Sequence, residues 1–429
     1  MDIRPFHGWR YNPDSGKLSD RIAPPYDVLS AEDKDNLLAV SEENIVAVDL
    51  PHVPPKEVGP ESAYEQAAQR LRQWQRKGVM VQDSQPAIYV YEQTYEWAGK
   101  THTRRAMLCG VRATEFGEDI MPHEHTFAGP KADRLKLTEH TGCQLSPIFG
   151  FYKDPQGTVD ETLAKVTSGE PSAQGLLNGV EEKMWVVNDA DLIAHVAATL
   201  CGVKAYIADG HHRYTTAMNY ARSLREEGKI DDSHEANFVM FALVSDQDEG
   251  LIILPTHRVI SGLGEGFSME AFLDKAGEYF ELTTKDAPAG AITDADAFLS
   301  EFGPHAMAFV GGNGTVHIGV LKDAESMKTL APDECEAWRE LDVAILHRLV
   351  IETLLADRTD GEPEIEYTPD GERARQAAES GEAQLSVIVR GTPLEAVSAI
   401  ADAEASMPHK STYFYPKLAT GMVIKPLNL

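Results

Sequence analysis

In the stretch AYIADGHHRYTTAMNYA, Ala205–Ala221, an apolar run ends at an Asp-Gly pair and a helical pattern begins at once. Val203 to Ala208 reads as a short strand. Tyr214, Ala217, Met218, Ala221 and Leu224 then recur at helical spacing. A strand running straight into a helix leaves the first backbone N–H groups of that helix unpaired. The helix dipole adds partial positive charge in front of them. Gly210 permits close backbone approach, Arg213 can grip phosphate through two hydrogen bonds, and Thr215 and Thr216 add hydroxyls in the first turn. The turn is a candidate phosphate cradle. The same residues would also serve as a plain helix start with Asp209 as N-cap.

The charge balance makes such a turn more informative. The chain of 429 residues carries a formal net charge of −29, which repels nucleic acid and anionic membranes. Nucleic-acid binding as the main role is therefore excluded, and an anionic ligand would need local cations or backbone amides. Hydrophobic content of 42% and charged content of 25% are ordinary for a globular chain, and the length predicts two or three domains. Cys109, Cys143, Cys201 and Cys335 form no CxxC pair and suggest no disulfide scaffold. The opening MDIRPFHGWRYNP has no apolar signal region, and no run reaches the roughly 18 apolar residues of a membrane helix. The expectation is a reduced, soluble, cytoplasmic protein with neither a nucleic-acid nor a membrane partner; a protein partner is left open.

Strand and helix signals intermingle along the chain, which predicts an α+β (mixed α/β) fold. Ser30 is a candidate cap for a short helix, and Ile45 to Leu50 alternates like a strand. Ser62 to Lys77 reads as a helix with a Ser62/Glu65 capping box and Gly78 just past its end. AIYVYEQTYEW and RAMLCGVRATEF read as a hairpin joined at Ala98-Gly99-Lys100. The segment from Met121 reads as polar and irregular until Ser146, where it becomes a strand. AMAFVGGNGTVHIGVL is a hairpin with Asn313-Gly314 in the turn. Leu341 to Ala356 reads as an amphipathic helix, Thr392 and Pro393 as the N-cap and first residue of another, and DRTDGEPEIEYTPDGE as a loop or insertion. The texture divides the chain into 1–115, 116–261 and 262–429.

Two further polar clusters stand out. IMPHEHTF holds His123, Glu124 and His125, and Lys131, Asp133, Arg134 and His140 follow closely. Such a density of titratable groups without periodicity suggests a site, and Glu124 could act as general base toward a hydroxyl. Near the C-terminus, MPHKSTYFYPKLATG brings Lys410, Ser411, Thr412 and Lys417 between strand-like segments. Lys410, Lys417 and Arg134 are candidates for charged groups on a substrate.

Four stretches together resemble the bacterial and archaeal family labelled domain of unknown function 1015. They are APPYDV; PHEHT with KADRLKL and LSPIF; ADGHHRYTTA; and MPHKSTYFYPKLATG, and they span most of the chain. That family looks related to the free-serine kinases of the ParB/sulfiredoxin-like fold group. The resemblance implies a nucleotide-binding core of that fold with long flanking and inserted segments. It implies Glu124 as base toward a serine-like hydroxyl, and Gly210, His211, His212 and Arg213 as phosphate ligands. Asp209 becomes a metal-facing or positioning acid, Thr215 joins the phosphate site, and His123 lies on the substrate side.

Three functions are then in play. The first is a small-molecule kinase that moves a phosphoryl group from ADP or ATP, with Mg²⁺, to the hydroxyl of free serine or a similar metabolite. The second is a metal-dependent hydrolase built on His123, His125, His211, His212 and Asp209. The third is a nucleotide-binding switch without catalysis.

Overall fold

The hairpin forms as the sequence predicts. Ile88–Trp97 and Lys100–Arg112 pair antiparallel down to Trp97 opposite Lys100. Ala98 and Gly99 both take positive φ, at 48° and 74°, as a tight two-residue hairpin turn requires. In the computed structural model, which describes residues 1–55, 57–126, 128–264, 266–356 and 363–428, this hairpin lies in the middle of a nine-stranded sheet. The order across it is Ile120–Met121, Ala205–Asp209, Ile148–Tyr152, Phe238–Ser245, Lys100–Arg112, Ile88–Trp97, Val180–Val187 and Ala173–Leu177, with Ile3–Arg4 also paired to Lys100–Arg112. Pairing is antiparallel except between Ile120–Met121 and Ala205–Asp209 and between Ile148–Tyr152 and Phe238–Ser245. The protein is mixed α/β.

The described residues form two units, Met1–Leu251 with Pro416–Leu429, and Ile252–Tyr415. Strands from before residue 115 and from 120 onward share the large sheet of the first unit. The helix His211–Glu226 buries Tyr214, Met218, Ala221 and Leu224, and Tyr214 and Met218 join a core with Ile207, Ile148, Phe241 and Leu243. Each such side chain contributes roughly 1.5–3 kcal/mol by leaving water. Ser30 caps Ala31–Val40 in a reciprocal capping box with Asp33.

Several expectations fail for identifiable reasons. Ile45–Leu50 is not a strand: Val46–Asp49 is a helical turn. Asn44 Oδ1 accepts from the Val46 amide, while its Nδ2 donates to the carbonyls of Asp20 and Ile22. That side chain sets the turn and overrides β-branched propensity. The Ser62/Glu65 capping box does not form, because the helix Glu61–Arg76 starts earlier, with Pro60 at its N-cap. Gly78 does take positive φ, 72°, beyond the helix end. The segment before Ser146 contains the helix Ala128–Thr141. Its buried residues include Asp133, Arg134 and Leu137, so ion pairs replace part of the apolar stripe that would have revealed it.

The second unit holds a six-stranded antiparallel sheet in the order Phe280–Lys285, Val316–Leu321, Ala306–Val310, Leu385–Ile388, His257–Ser261 and Glu364–Thr368. The hairpin across Asn313-Gly314 is present. Of the expected DRTDGEPEIEYTPDGE loop, residues 357–362 lie outside the described residues; the remainder includes the edge strand Glu364–Thr368 and the start of the helix Gly371–Glu379. The helix expected from Leu341 begins as Asp342–Ile345 and continues with π-helical spacing over Leu346–Leu354. Thr392 is not an N-cap; Pro393 holds that position, and the Thr392 hydroxyl donates to the Ser411 carbonyl. The four cysteines are free. Among the described residues no helix is long and apolar enough to cross a membrane.

Candidate functional site

At the strand–helix junction, Gly210 is the N-cap of His211–Glu226, with φ +101° and no side-chain cap. The positive φ favours glycine here, and a Cβ at this position would press on Nη2 of Arg213 at 3.0 Å. Asp209 is not the N-cap. Its Oδ2 accepts from Nη2 of Arg213 at 3.2 Å and lies 3.6 Å from Nζ of Lys417. Nη1 of Arg213 donates to the Pro147 carbonyl at 2.6 Å and to Ser146 Oγ at 3.3 Å. The guanidinium thus ties the turn to the LSPIF strand. The register between Ala205–Asp209 and Ile148–Tyr152 shifts between Ile207 and Asp209, an irregularity of the kind that re-aims a strand end at a site.

The PHE loop reaches this turn through the sheet. Ile120–Met121 pairs parallel with Ala205 and Tyr206, so both chains leave the sheet at the same end, where α/β folds present ligands. The His123 amide donates to Nε2 of His211 at 3.2 Å. That bond makes Nε2 the acceptor and leaves the proton of a neutral ring on Nδ1. Nδ1 of His211 lies 3.7 Å from Glu124 Oε2, and Nε2 of His123 lies 4.0 Å from Glu124 Oε1. The two imidazoles meet edge to face with centroids 4.7 Å apart. Burial, reinforced by His123, pushes His211 down to about 3. Burial also lowers His123. Glu124 therefore sits against two neutral rings with its own side chain 34% exposed. An accessible carboxylate facing a buried N–H 3.7 Å away is a candidate general base.

The other expected residues divide. Lys417 joins Asp209 and Arg213 at the turn. His212 is half-buried on the first turn of the helix and His125 is exposed. Thr215 is buried, and its hydroxyl donates back to the His211 carbonyl at 2.9 Å. Arg134 is buried in an ion-pair cluster: Nε donates to Asp133 Oδ2 at 2.9 Å and Nη1 to the Asp49 carbonyl at 2.7 Å, with its guanidinium 3.8 Å above the Tyr26 ring. Burial pushes the Asp49 carboxyl up against the pull of Arg134 and Arg213. A cavity of about 50 Å³ lies beside this cluster, lined by Asp49, Arg134, Gln144, Ser146, Arg213 and Thr216 among others. Lys410 belongs to the second unit, with φ +57° and its carbonyl accepting from Arg258.

Among the described residues no three His, Cys, Asp or Glu side chains are grouped to hold a metal ion. Asp209 already faces two cations. The His123, His125, His211, His212 and Asp209 set expected of a hydrolase therefore forms no such group among the described residues.

APPYDV, KADRLKL with LSPIF, ADGHHRYTTA and the Pro416–Gly421 part of MPHKSTYFYPKLATG meet in the first unit. Tyr26 of APPYDV lies under Arg134 of KADRLKL, and Ala23 exchanges backbone hydrogen bonds with Thr420. Arg213 grips Ser146 and Pro147, and Lys417 reaches Asp209. Sequence reading missed Asp49, Gln93, Arg104 and Glu182. The available signal was Gln93 at the same strand parity as the buried Tyr89, Tyr91 and Tyr95.

Comparison with solved structures finds a free serine kinase in complex with AMP, at TM-score 0.31 and 14% identity, covering 72% of this chain and 95% of that one. A conserved hypothetical protein from Pyrococcus furiosus gives 0.31 and 14%, covering 73% and 97%. SbnI with a C-terminal truncation, from Staphylococcus aureus, gives 0.34 and 12%, covering 75% and 87%. Comparison with curated proteins gives no match. The model of the family described as "Protein of unknown function (DUF1015)" matches residues 3–344, and the chain belongs to that family.

Proposed function

We propose that this protein is a small-molecule phosphotransferase that moves a phosphoryl group from ADP or ATP to the hydroxyl of free serine or a similar metabolite. The observation that carries the reading is the 3.7 Å approach of Glu124 to His211. It sets a candidate base beside the first residue of the candidate phosphate turn. The motif resemblance to free-serine kinases supports the same reading, together with a ParB/sulfiredoxin-like core.

In this reading the nucleotide phosphates lie before the N-terminus of His211–Glu226, on the amides that follow Gly210. Arg213 and Lys417 supply positive charge, and His212 is placed to donate from the first turn. The acceptor hydroxyl gives its proton to Glu124 as its oxygen bonds to the terminal phosphorus. The bond from that phosphorus to the nucleotide's bridging oxygen breaks, releasing AMP or ADP. Such transfer depends mainly on positioning and charge neutralisation. His211 orients Glu124 and does not itself take the proton. Mg²⁺ would enter on the nucleotide phosphates, as that ion commonly does, and not in a protein cage.

The test is incubation of the full chain with labelled ATP or ADP, Mg²⁺ and free L-serine, followed by separation of the products. Phosphoserine, or label on another hydroxyl compound from an acceptor panel, supports the proposal. Nucleotide binding with no transfer to any acceptor indicates a binding switch. Failure to bind either nucleotide defeats the reading.

A further inference from the structure

Three adjacent strands of the large sheet carry one row of polar side chains on a buried face. Glu182 stands opposite Gln93, and Gln93 opposite Arg104. Each is 1% exposed. Burying a carboxylate, an amide and a guanidinium together is costly unless each finds partners. Here Gln93 Nε2 donates to Glu182 Oε1 at 3.2 Å, Gln93 Oε1 accepts from Arg104, and Tyr91 donates its hydroxyl to Glu182 Oε2 at 2.5 Å. Arg104 also lies 4.5 Å above the Phe149 ring.

The row's remaining hydrogen bonds converge on one short piece of backbone. Arg104 Nη2 donates to the Pro416 carbonyl at 2.6 Å, Gln93 Nε2 to the Lys417 carbonyl at 3.1 Å, and the Ala419 amide donates to the Tyr91 hydroxyl at 3.1 Å. That segment presents the Lys417 ammonium 3.6 Å from Asp209 Oδ2. An apolar row would have packed the sheet without this cost, so the polar row needs an explanation beyond stability.

We propose that Glu182, Gln93 and Arg104 form the positioning device for Lys417, and that Lys417 so held is a phosphate-binding cation of the Asp209–Arg213 turn. The proposal rests on the nucleotide reading above. Gln93 is the central member, since it alone bonds Glu182, Arg104 and the Lys417 carbonyl together. Glu182 anchors the row from behind, and none of the three touches the ligand.

Calorimetric titration of the full chain with ADP and with ATP tests it, using wild type, Lys417→Met, Gln93→Met and the double variant. Lys417→Met should weaken binding roughly ten- to a hundred-fold, as expected for one hydrogen bond to a charged group. Gln93→Met should weaken it less. The double variant should match Lys417→Met alone, because a missing cation cannot be displaced further. Losses that multiply would show general damage to the fold and overturn the inference. Unchanged affinity in Lys417→Met would overturn it while leaving the nucleotide reading intact. Absence of binding by the wild type would overturn both. If Gln93→Met does not fold, Tyr91→Phe takes its place in the same cycle, since it removes the hydroxyl shared by Glu182 and the Ala419 amide.

Discussion

Nδ1 of His211 lies 3.7 Å from the Glu124 carboxylate, although one residue opens a helix and the other lies in the loop after Ile120–Met121, 87 residues earlier in the chain. A backbone bond from His123 fixes which nitrogen faces the acid. On the proposed kinase reading, Glu124→Gln should abolish phosphoryl transfer and leave nucleotide affinity nearly intact, because the substitution removes only the proposed base. Arg213→Ala should instead weaken nucleotide binding by roughly 1.5–3 kcal/mol. Parallel transfer assays and calorimetry check the division; equal loss of binding in both variants would refute it.

Gly210→Ala should damage the turn. The residue would have to hold φ +101° and place a Cβ 3.0 Å from the Arg213 guanidinium. A cost of roughly 1–3 kcal/mol is expected for such a position. Thermal melts should show the loss, with weaker ADP binding as Arg213 is pushed off Asp209. An unchanged melt would mean the turn relaxes freely.

Acidification should destabilise the protein through its buried histidines. Burial pushes His211 and His257 down to about 3 from an ordinary 6.5. As pH falls from about 6.5 toward 3, the unfolded chain takes up protons that the folded chain refuses. Each ring then lowers stability by up to about 1.4 kcal/mol per pH unit. Melting temperatures of His211→Asn should fall less steeply over that window than those of wild type. A parallel decline in the two proteins would rule out this contribution.

Glu182 should act in the opposite sense. Burial raises its carboxyl to about 7, against the hydrogen bonds of Tyr91 and Gln93 and the charge of Arg104. The folded chain therefore holds a proton that the unfolded chain releases, and stability falls as pH rises from about 4.5 to about 7. In Glu182→Gln this part of the stability–pH curve should flatten. Denaturant melts at several pH values provide the measurement.

Arg134→Met should be a stability variant. Removing one partner of a buried ion pair typically costs about 3–5 kcal/mol; here Asp49 and Asp133 lose their shared guanidinium, although His52 and Tyr64 still bond Asp133. Chemical denaturation should show this loss. Selective loss of acceptor binding with unchanged stability would instead favour the expected substrate role of Arg134.

The strand–turn–helix at Ala205–Glu226 and the hairpin at Ala98-Gly99 were legible in the sequence because each depends on neighbouring residues. Apolar periodicity marks the buried face, and glycine marks where φ must be positive. Ile45–Leu50 was misread because a side chain outside the window, Asn44, decides its conformation. The helix Ala128–Thr141 was hidden because Asp133 and Arg134 occupy its buried face, paired with Asp49, His52 and Tyr64 from distant parts of the chain.

The chemical inventory of the site was likewise present in the motifs: an acid after Pro-His, a glycine turn, an arginine and a C-terminal lysine. Their assignment was not. The residues alone left Asp209 as a helix cap, the resemblance left it as a metal-facing or positioning acid, and Lys417 stood beside Lys410 and Arg134 as a candidate for charged groups on a substrate. Tertiary structure made Asp209 the anion between Arg213 and Lys417, put Lys410 in the other unit and set His211 against Glu124. The reason is physical. Local pattern records which face is apolar and which backbone angles are allowed, whereas the partner of a buried charge is chosen by strands that meet only when the sheet closes.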